Sequence, residues 1–242
     1  MASKEIHSEI CTLPRAVDDT EKWSQLRDKF KKLRLKSLQQ DPEAFSSTYA
    51  EEVKFSNDIW EKRMTNPLAV HLVAVRWRSK AESDIPPEDI SVLLSGDWLG
   101  LLVLIGPKDG TVSFHASRSP GESLSSKSTL SSAIDGEHTS TTVCELNGVF
   151  VVPEARGLGL GRKLVDAATQ FGIFSAKSQG FKTIRMQVRV DTNNRPARML
   201  YRSGGYVDGK VETYTSKGKE HGLKIPSSMM TCILMERLEE LS

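Results

Sequence analysis

The stretch TVCELNGVFVVPEARGLGLGRKL, residues 142–164, decides how the chain is read. Its first eleven residues are dense in branched and apolar side chains, the pattern of a buried strand. Pro153 ends that strand, and Arg156-Gly157-Leu158-Gly159-Leu160-Gly161 follows as a turn. A helix is then expected from about Leu160 to Gln179, with Leu160, Leu164, Ala168 and Phe171 at the helical period and Gly180 as its stop. Strand, glycine turn and helix in immediate succession make an anion site. Glycines let the main chain approach a bulky group without a Cβ in the way, the helix start offers unpaired N–H groups and positive dipole, and Arg156 and Arg162 can add charge-assisted bonds.

Three phosphate-binding patterns compete for this turn, beside a purely structural glycine turn. A P-loop needs Lys-Ser/Thr after its last glycine, and Arg162-Lys163-Leu164 stands there instead. A dinucleotide fingerprint needs GxGxxG on the first strand of a βαβ unit, whereas GxGxG occurs here late in the chain. The third, a coenzyme A pyrophosphate cradle of the form Arg/Gln-x-x-Gly-x-Gly/Ala, is met by Arg156, Gly159 and Gly161.

Outward from this stretch, alternating strands and helices indicate an α/β fold. Upstream lie a short strand within 5–15 and a helix capped by Asp18 or Asp19, with Trp23, Leu26, Phe30 and Leu33 as its apolar stripe. The Lys and Arg residues on its other face read as a solvated surface. A second helix is expected at 49–65, then strands at 68–77 and 97–105. Downstream come a strand at 181–188, a helix at 194–203 and a closing hairpin-like pair whose last strand is 228–238. Two polar inserts, 79–92 and 107–142, interrupt this order; the second is rich in Ser and Thr and expected to be flexible.

Composition narrows the field. With 33 Lys+Arg against 31 Asp+Glu in 242 residues, the net charge of +2 lacks the basic footprint of a nucleic-acid binder. The longest apolar run, WLGLLVLIG at 98–106, is too short to span a bilayer, and no membrane partner is expected. Three widely spaced cysteines (Cys11, Cys144, Cys232) offer neither a disulfide framework nor a metal motif, so no metal and a cytoplasmic location are the expectations. His71, His115 and His138 show no ligand spacing, and His71 reads as a core or edge residue of its strand.

The motif VFVVPEARGLGLGRKL resembles the acetyl-CoA-binding motif of the GNAT acetyltransferase superfamily. DTNNRPARMLYRSGGY (191–206) resembles that family's second signature, through Asn194, Ala197, Leu200, Tyr201, Gly205 and Tyr206. The segment 33–64, with its Asp-Pro-x-Ala-Phe-x-Ser-Thr core, is similar to the first two helices of many small members. In all, the resemblance covers about 23–77, 97–105 and 142–238. It implies a central mixed, mostly antiparallel sheet, splayed at the cofactor strand and flanked by helices, in a single domain over 1–242 that carries the two inserts. It also implies acetyl-CoA as co-substrate and direct transfer of its acetyl group to a primary amine in a ternary complex. The balanced charge leans toward a small amine over a protein N-terminus or lysine; a non-catalytic acyl-CoA sensor is the reading of another class.

Acetyl transfer sets its own requirements. An alkylammonium with a pKa near 10.4 is only about 0.04 % free base at pH 7, so a base helps. The oxyanion needs a donor and the thiolate a proton. The resemblance implies main-chain contacts from Val149, Phe150 and Val151 to the pantetheine arm, with the N–H of Phe150 or Val151 facing the thioester oxygen. It implies pyrophosphate contacts from Arg156, Gly157, Leu158, Gly159, Leu160, Gly161 and Arg162. Asn194 matches a residue that contacts the cofactor or caps its helix. Tyr201 matches the general acid, against a plain core tyrosine. Glu145 lies where some members carry a base, against a surface glutamate without a role.

Overall fold

A computed structural model describes residues 6–78, 89–109, 141–216 and 228–241. Its frame is one seven-stranded sheet in the order β1-β2-β3-β4-β5-β7-β6. The strands are β1 (Ile6–Thr12), β2 (Ala69–Arg78), β3 (Asp97–Asp109), β4 (Thr141–Val151), β5 (Thr183–Asp191), β6 (Val207–Ser216) and β7 (Ser228–Glu240). Neighbours run antiparallel except β4 and β5, which run parallel. This is the mixed, mostly antiparallel sheet that the family resemblance implied, in the α/β class that the alternation of elements indicated.

Helix α1 (Thr20–Gln40) begins at Asp19, whose carboxylate accepts the N–H groups of Glu21 and Lys22, and its Leu26, Phe30, Leu33 and Leu38 are buried. Its polar face departs from the expected solvated surface. Arg27 pairs with Glu61 at 2.8 Å, Lys29 donates to the carbonyls of Leu93 and Gly96, and Lys36 pairs with Glu154 at 2.8 Å. Arg34 points inward to Glu52. These cations tie the helix to its neighbours.

The single helix expected at 49–65 is two. α2 (Tyr49–Glu52) is closed by a capping box between Thr48 and Glu51, and α3 (Asn57–Met64) restarts after Ser56, whose backbone is extended. The break lets Phe55 turn back against Trp60, ring centroids 5.9 Å apart, while Glu52 stays in the interior. Order also resumes inside both supposed inserts. α4 (Asp89–Ser95) buries Val92 and Leu93, β3 extends to Asp109 and β4 starts at Thr141. What remains of the inserts, 79–88 and 110–140, falls outside the described residues, and so does the expected flexibility of the second.

α5 (Leu160–Ser178) lies against β2, β3, β4 and β5, burying Leu160, Leu164, Val165 and Ala168. Gly100 and Gly172 let it approach. A Cβ on Gly100 would meet Leu164 Cδ1 of α5 at 3.1 Å, and one on Gly172 the Met186 sulfur at 3.0 Å. α6 (Arg195–Ser203) follows β5 and is pinned to β6 through Arg198 and Asp208, 2.6 Å apart. None of the described helices is long and apolar enough to cross a membrane.

Candidate active site

The site starts from a defect in the sheet. β4 pairs with β5 only from Thr141 to Glu145, whose partner is Gln187. Beyond that point the strands part, while β4 continues beside β3 to Val151 and β5 continues beside β7 to Asp191. Against β3, β4 carries one extra residue between Asn147 and Phe150, where Gly148 adopts φ +62°. A bulge of this kind bends the strand and sharpens its twist. The splay therefore exposes main-chain groups on one edge of Leu146–Val151.

Which groups those are follows from the pleat. The Val152 N–H donates to the Leu99 carbonyl at 2.8 Å. Alternation then turns the main chain of Phe150 toward β3 and that of Val151 toward the open edge. Of the two N–H groups considered for the thioester oxygen, only Val151's faces the splay. The Phe150 side chain is buried, and its ring lies 5.9 Å from the Arg156 guanidinium.

The splay opens into a cavity of about 760 Å³. Glu145, Asn147, Val149, Asn194 and Tyr201 line it, as do His71 from β2 and Arg34, Glu52 and Arg63 from the helices. Leu146 and Gly148 line it too, because the bulge interrupts the alternation of β4 here. Tyr201 is 4 % exposed, and its ring packs edge-on to Tyr206 at 5.7 Å. Tyr206 is fastened in turn to Thr169 of α5, hydroxyl to hydroxyl at 3.3 Å. Burial raises the Tyr201 phenol far above its ordinary range, with Tyr206 adding to it, so the hydroxyl stays protonated. Asn194 caps α6 by accepting the Ala197 N–H at 3.1 Å while lining the cavity.

Glu145 is 4 % exposed and bonded to Arg189 Nη1 at 2.7 Å. It is an interior carboxylate, unlike the surface glutamate weighed as the alternative. Arg189 also reaches Glu212 on β6 at 2.9 Å, so one guanidinium bridges the splay. His71 is buried with its ring edge-on to Phe30 at 5.0 Å, and burial, helped by Arg15 and Arg63, pushes its imidazole down to about 4. Burial pushes the Cys144 thiol the other way, up to about 12, which leaves it inert as a nucleophile.

The glycine turn sits apart from this cavity, at the N-terminus of α5. Gly157 and Gly159 have φ of +80° and +75°, and an added Cβ on either would have no heavy atom within 4 Å. Lys163 makes the first backbone bond of the helix, to the Gly159 carbonyl at 3.1 Å. The N–H groups of Leu160, Gly161 and Arg162 precede it, the arrangement that receives anions. The two arginines are engaged elsewhere. Arg156 donates to the Val151 carbonyl at 3.0 Å and pairs with Asp41. Arg162 pairs with Asp166 at 2.7 Å and reaches the Ser203 carbonyl. Leu158 is exposed.

Sequence reasoning set His71 aside and missed Arg34, Glu52, Arg63, Arg189 and Glu212. Arg34, Glu52 and Arg63 fall within the 33–64 segment and Arg189 and Glu212 outside any motif, and each meets its partners only through the tertiary fold. The one available signal was Glu52 at helical spacing among apolar positions, a charge on a buried face.

Comparison with known proteins accords with this geometry. A family model described as an acetyltransferase (GNAT) domain matches residues 129–208. An uncharacterized N-acetyltransferase of Bacillus subtilis strain 168, YhfO, is 40 % identical over 63 residues, which is 26 % of this chain and 38 % of that protein. The chain thus matches well under half the length of this curated relative. Among solved structures, a GNAT-family acetyltransferase of Streptococcus pneumoniae aligns with a TM-score of 0.53 at 15 % identity, over 96 % of this chain and all of the other. A GNAT superfamily phosphinothricin acetyltransferase of Sinorhizobium meliloti, solved with acetyl-CoA, aligns at 0.51 and 13 % identity over 96 % of this chain and 88 % of its own. At such identities these structures establish the fold.

Proposed function

We propose that this chain, which carries a GNAT acetyltransferase domain across residues 129–208, is an N-acetyltransferase moving an acetyl group from acetyl-CoA to a primary amine. The observation that carries this reading is the parting of β4 and β5 after Glu145, with a buried tyrosine and a buried carboxylate on one cavity at the opening. We extend the domain to the whole chain, with 79–88 and 110–140 as inserts within it.

Acetyl-CoA would supply the activated thioester. Its pyrophosphate fits the main-chain N–H groups of the Gly157–Arg162 turn, where the open positions above Gly157 and Gly159 leave room for it. Arg156 and Arg162 would act as supports for the turn, because both guanidiniums are already paired. Val149 and Val151 present main-chain groups at the splayed edge, and the Val151 N–H is the donor for the developing oxyanion. Asn194 closes the same edge from the start of α6.

The amine attacks the thioester carbonyl as a free base. Glu145, directly or through water, takes the proton that the attacking nitrogen sheds. The C–S bond then breaks, and Tyr201, whose phenol burial keeps protonated, hands its proton to the departing thiolate. No acyl-enzyme is required, and Cys144 lacks the reactivity for one. A small amine suits a cavity walled by buried ionic groups, and it is the acceptor class we favour.

The test incubates the protein with acetyl-CoA and a panel of small amines, lysine peptides and N-terminal peptides, and measures free thiol. Turnover with small amines supports the reading. A thermal shift by acetyl-CoA without turnover on any acceptor would make the protein a sensor, and absence of any shift would remove both.

A further inference from the structure

The cavity has buried ionic groups on both of its sides. On the helix side Glu52 is fully buried and accepts Arg34 Nε at 3.1 Å and Nη2 at 2.9 Å. The same carboxylate accepts Arg63 Nη1 at 2.8 Å and Nη2 at 3.4 Å. Two guanidiniums on one carboxylate leave a surplus of one positive charge. On the strand side one guanidinium, Arg189, binds two carboxylates, Glu145 and Glu212. His71 lies on the same wall and is neutral at physiological pH. Glu43 and Lys210 are exposed at the rim, where solvent screens them, and Asp191 is bonded to the Asn193 N–H at 2.8 Å.

Arg34 is built to offer one more bond. Its Nε and Nη2 face Glu52, and its Nη1 lies 3.8 Å from the position a Cβ on Gly148 would occupy. Nη1 makes no hydrogen bond among the described residues, and it stands over the bulge of β4. Arg34 rests on the Phe45 ring at 4.7 Å, and Arg63 on the rings of Phe55 at 4.8 Å and Trp60 at 5.2 Å. Stacking and the shared carboxylate hold the guanidinium planes before any ligand enters, so little ordering is left for binding to impose. From Gly148 back to Glu145 is three strand residues, about 10 Å at the rise of a β-strand.

We infer that the acceptor is an amine that also bears a carboxylate, with the carboxylate on Arg34 Nη1 and the nitrogen toward Glu145. The inference rests on the acetyltransferase reading above and names the substrate class for it. The surplus charge at Arg34 and Arg63 matches a monoanion. A dianionic phosphate would bring an unbalanced charge into an interior that penalises it. Glu145 then stands on the amine side, where it takes the proton that the attacking nitrogen sheds.

The experiment uses the full chain with acetyl-CoA and matched acceptor pairs: α-, β- and γ-amino acids beside their carboxamides, with aminoalkyl phosphonates as a third arm. The acids are expected to exceed their amides in kcat/KM by about ten- to a hundredfold, the range of a charge-assisted bond. In Arg34→Gln that ratio collapses toward one, while Arg34→Lys keeps part of it. Equal rates for acid and amide, a phosphonate preference, or an Arg34→Gln loss shared equally by both members of a pair would each overturn the inference. Thermal melts establish that the variants fold, and the wild-type pairs decide the question if they do not. Should acetyl-CoA bind but nothing turn over, the transferase reading fails by itself. Calorimetric titration of the same pairs into the coenzyme A complex then still decides: tighter acid binding upholds the anion site, equal binding removes it.

Discussion

The glycine turn at 156–162 and the charged cavity behind the splay are built on different principles. The turn is a main-chain device. The groups we propose for binding are N–H donors at the start of α5, its shape comes from left-handed glycines, and its nearby arginines are occupied elsewhere. The cavity is a side-chain device, in which Arg34, Glu52, Arg63, Arg189 and Glu145 arrive from five elements and hold one another in place. A main-chain site is local and depends little on any one side chain. A side-chain site is long-range, and each member depends on the rest.

Substitutions can break or sharpen this contrast. The largest effect is expected from Tyr201→Phe, which removes the proposed proton donor and leaves the ring: kcat should fall by about 10²- to 10⁴-fold, with acetyl-CoA affinity nearly unchanged by calorimetry. A loss confined to KM would reduce Tyr201 to a packing residue. Glu52→Ala comes next. Arg34 and Arg63 together hold the Glu52 carboxyl below its ordinary pKa although burial works against them. Removing it leaves two guanidiniums in the interior without their counter-charge, a loss of about 3–5 kcal/mol in urea unfolding.

His71 provides a third probe. Its imidazole, at about 4 in the fold against an ordinary 6.5, stays neutral where the unfolded chain would take a proton. Stability from this group is complete above pH 6.5 and is lost as pH falls toward 4, about 3 kcal/mol over the window. His71→Leu should flatten that part of the Tm–pH curve, and an unchanged slope would contradict the burial argument.

The smallest effects belong to the turn. Gly159→Ala places a side chain at φ +75° but in open space, so stability should drop by only about 1–2 kcal/mol. The new methyl stands where the pyrophosphate approaches, and acetyl-CoA Kd should rise about tenfold, or 1.4 kcal/mol. Arg156→Ala breaks a half-exposed pair with Asp41, and Kd should move by less than about fivefold. An Arg156 effect larger than that of Gly159 would reverse the assignment of the pyrophosphate to the main chain.

The same contrast explains what could be read in advance. Strand, turn and helix at 142–178 and the Asp19 cap depend on neighbours a few residues away, so spacing revealed them, while the Asn194 cap came from the family resemblance. The break at Val53–Ser56 and the helix at 89–95 were missed because both answer to distant packing, the first around Trp60 and the second through Val92 and Leu93. Glu145 was found as a candidate from its position before the turn, but its partner Arg189 stands 44 residues later, across the parting strands.

What the sequence by itself determined is the α/β order and a glycine turn between strand and helix, because caps, glycine conformations and hydrophobic period act over a single turn or strand; the site candidates came from the family resemblance. Only the tertiary structure decided where the buried charges go. It showed Arg34 leaving the expected solvated face for Glu52, a single guanidinium joining Glu145 to Glu212, and the loop arginines committed to Asp41 and Asp166. The reason is physical: an interior charge must find its counter-charge in space, and proximity in space between residues far apart in the chain is created by folding.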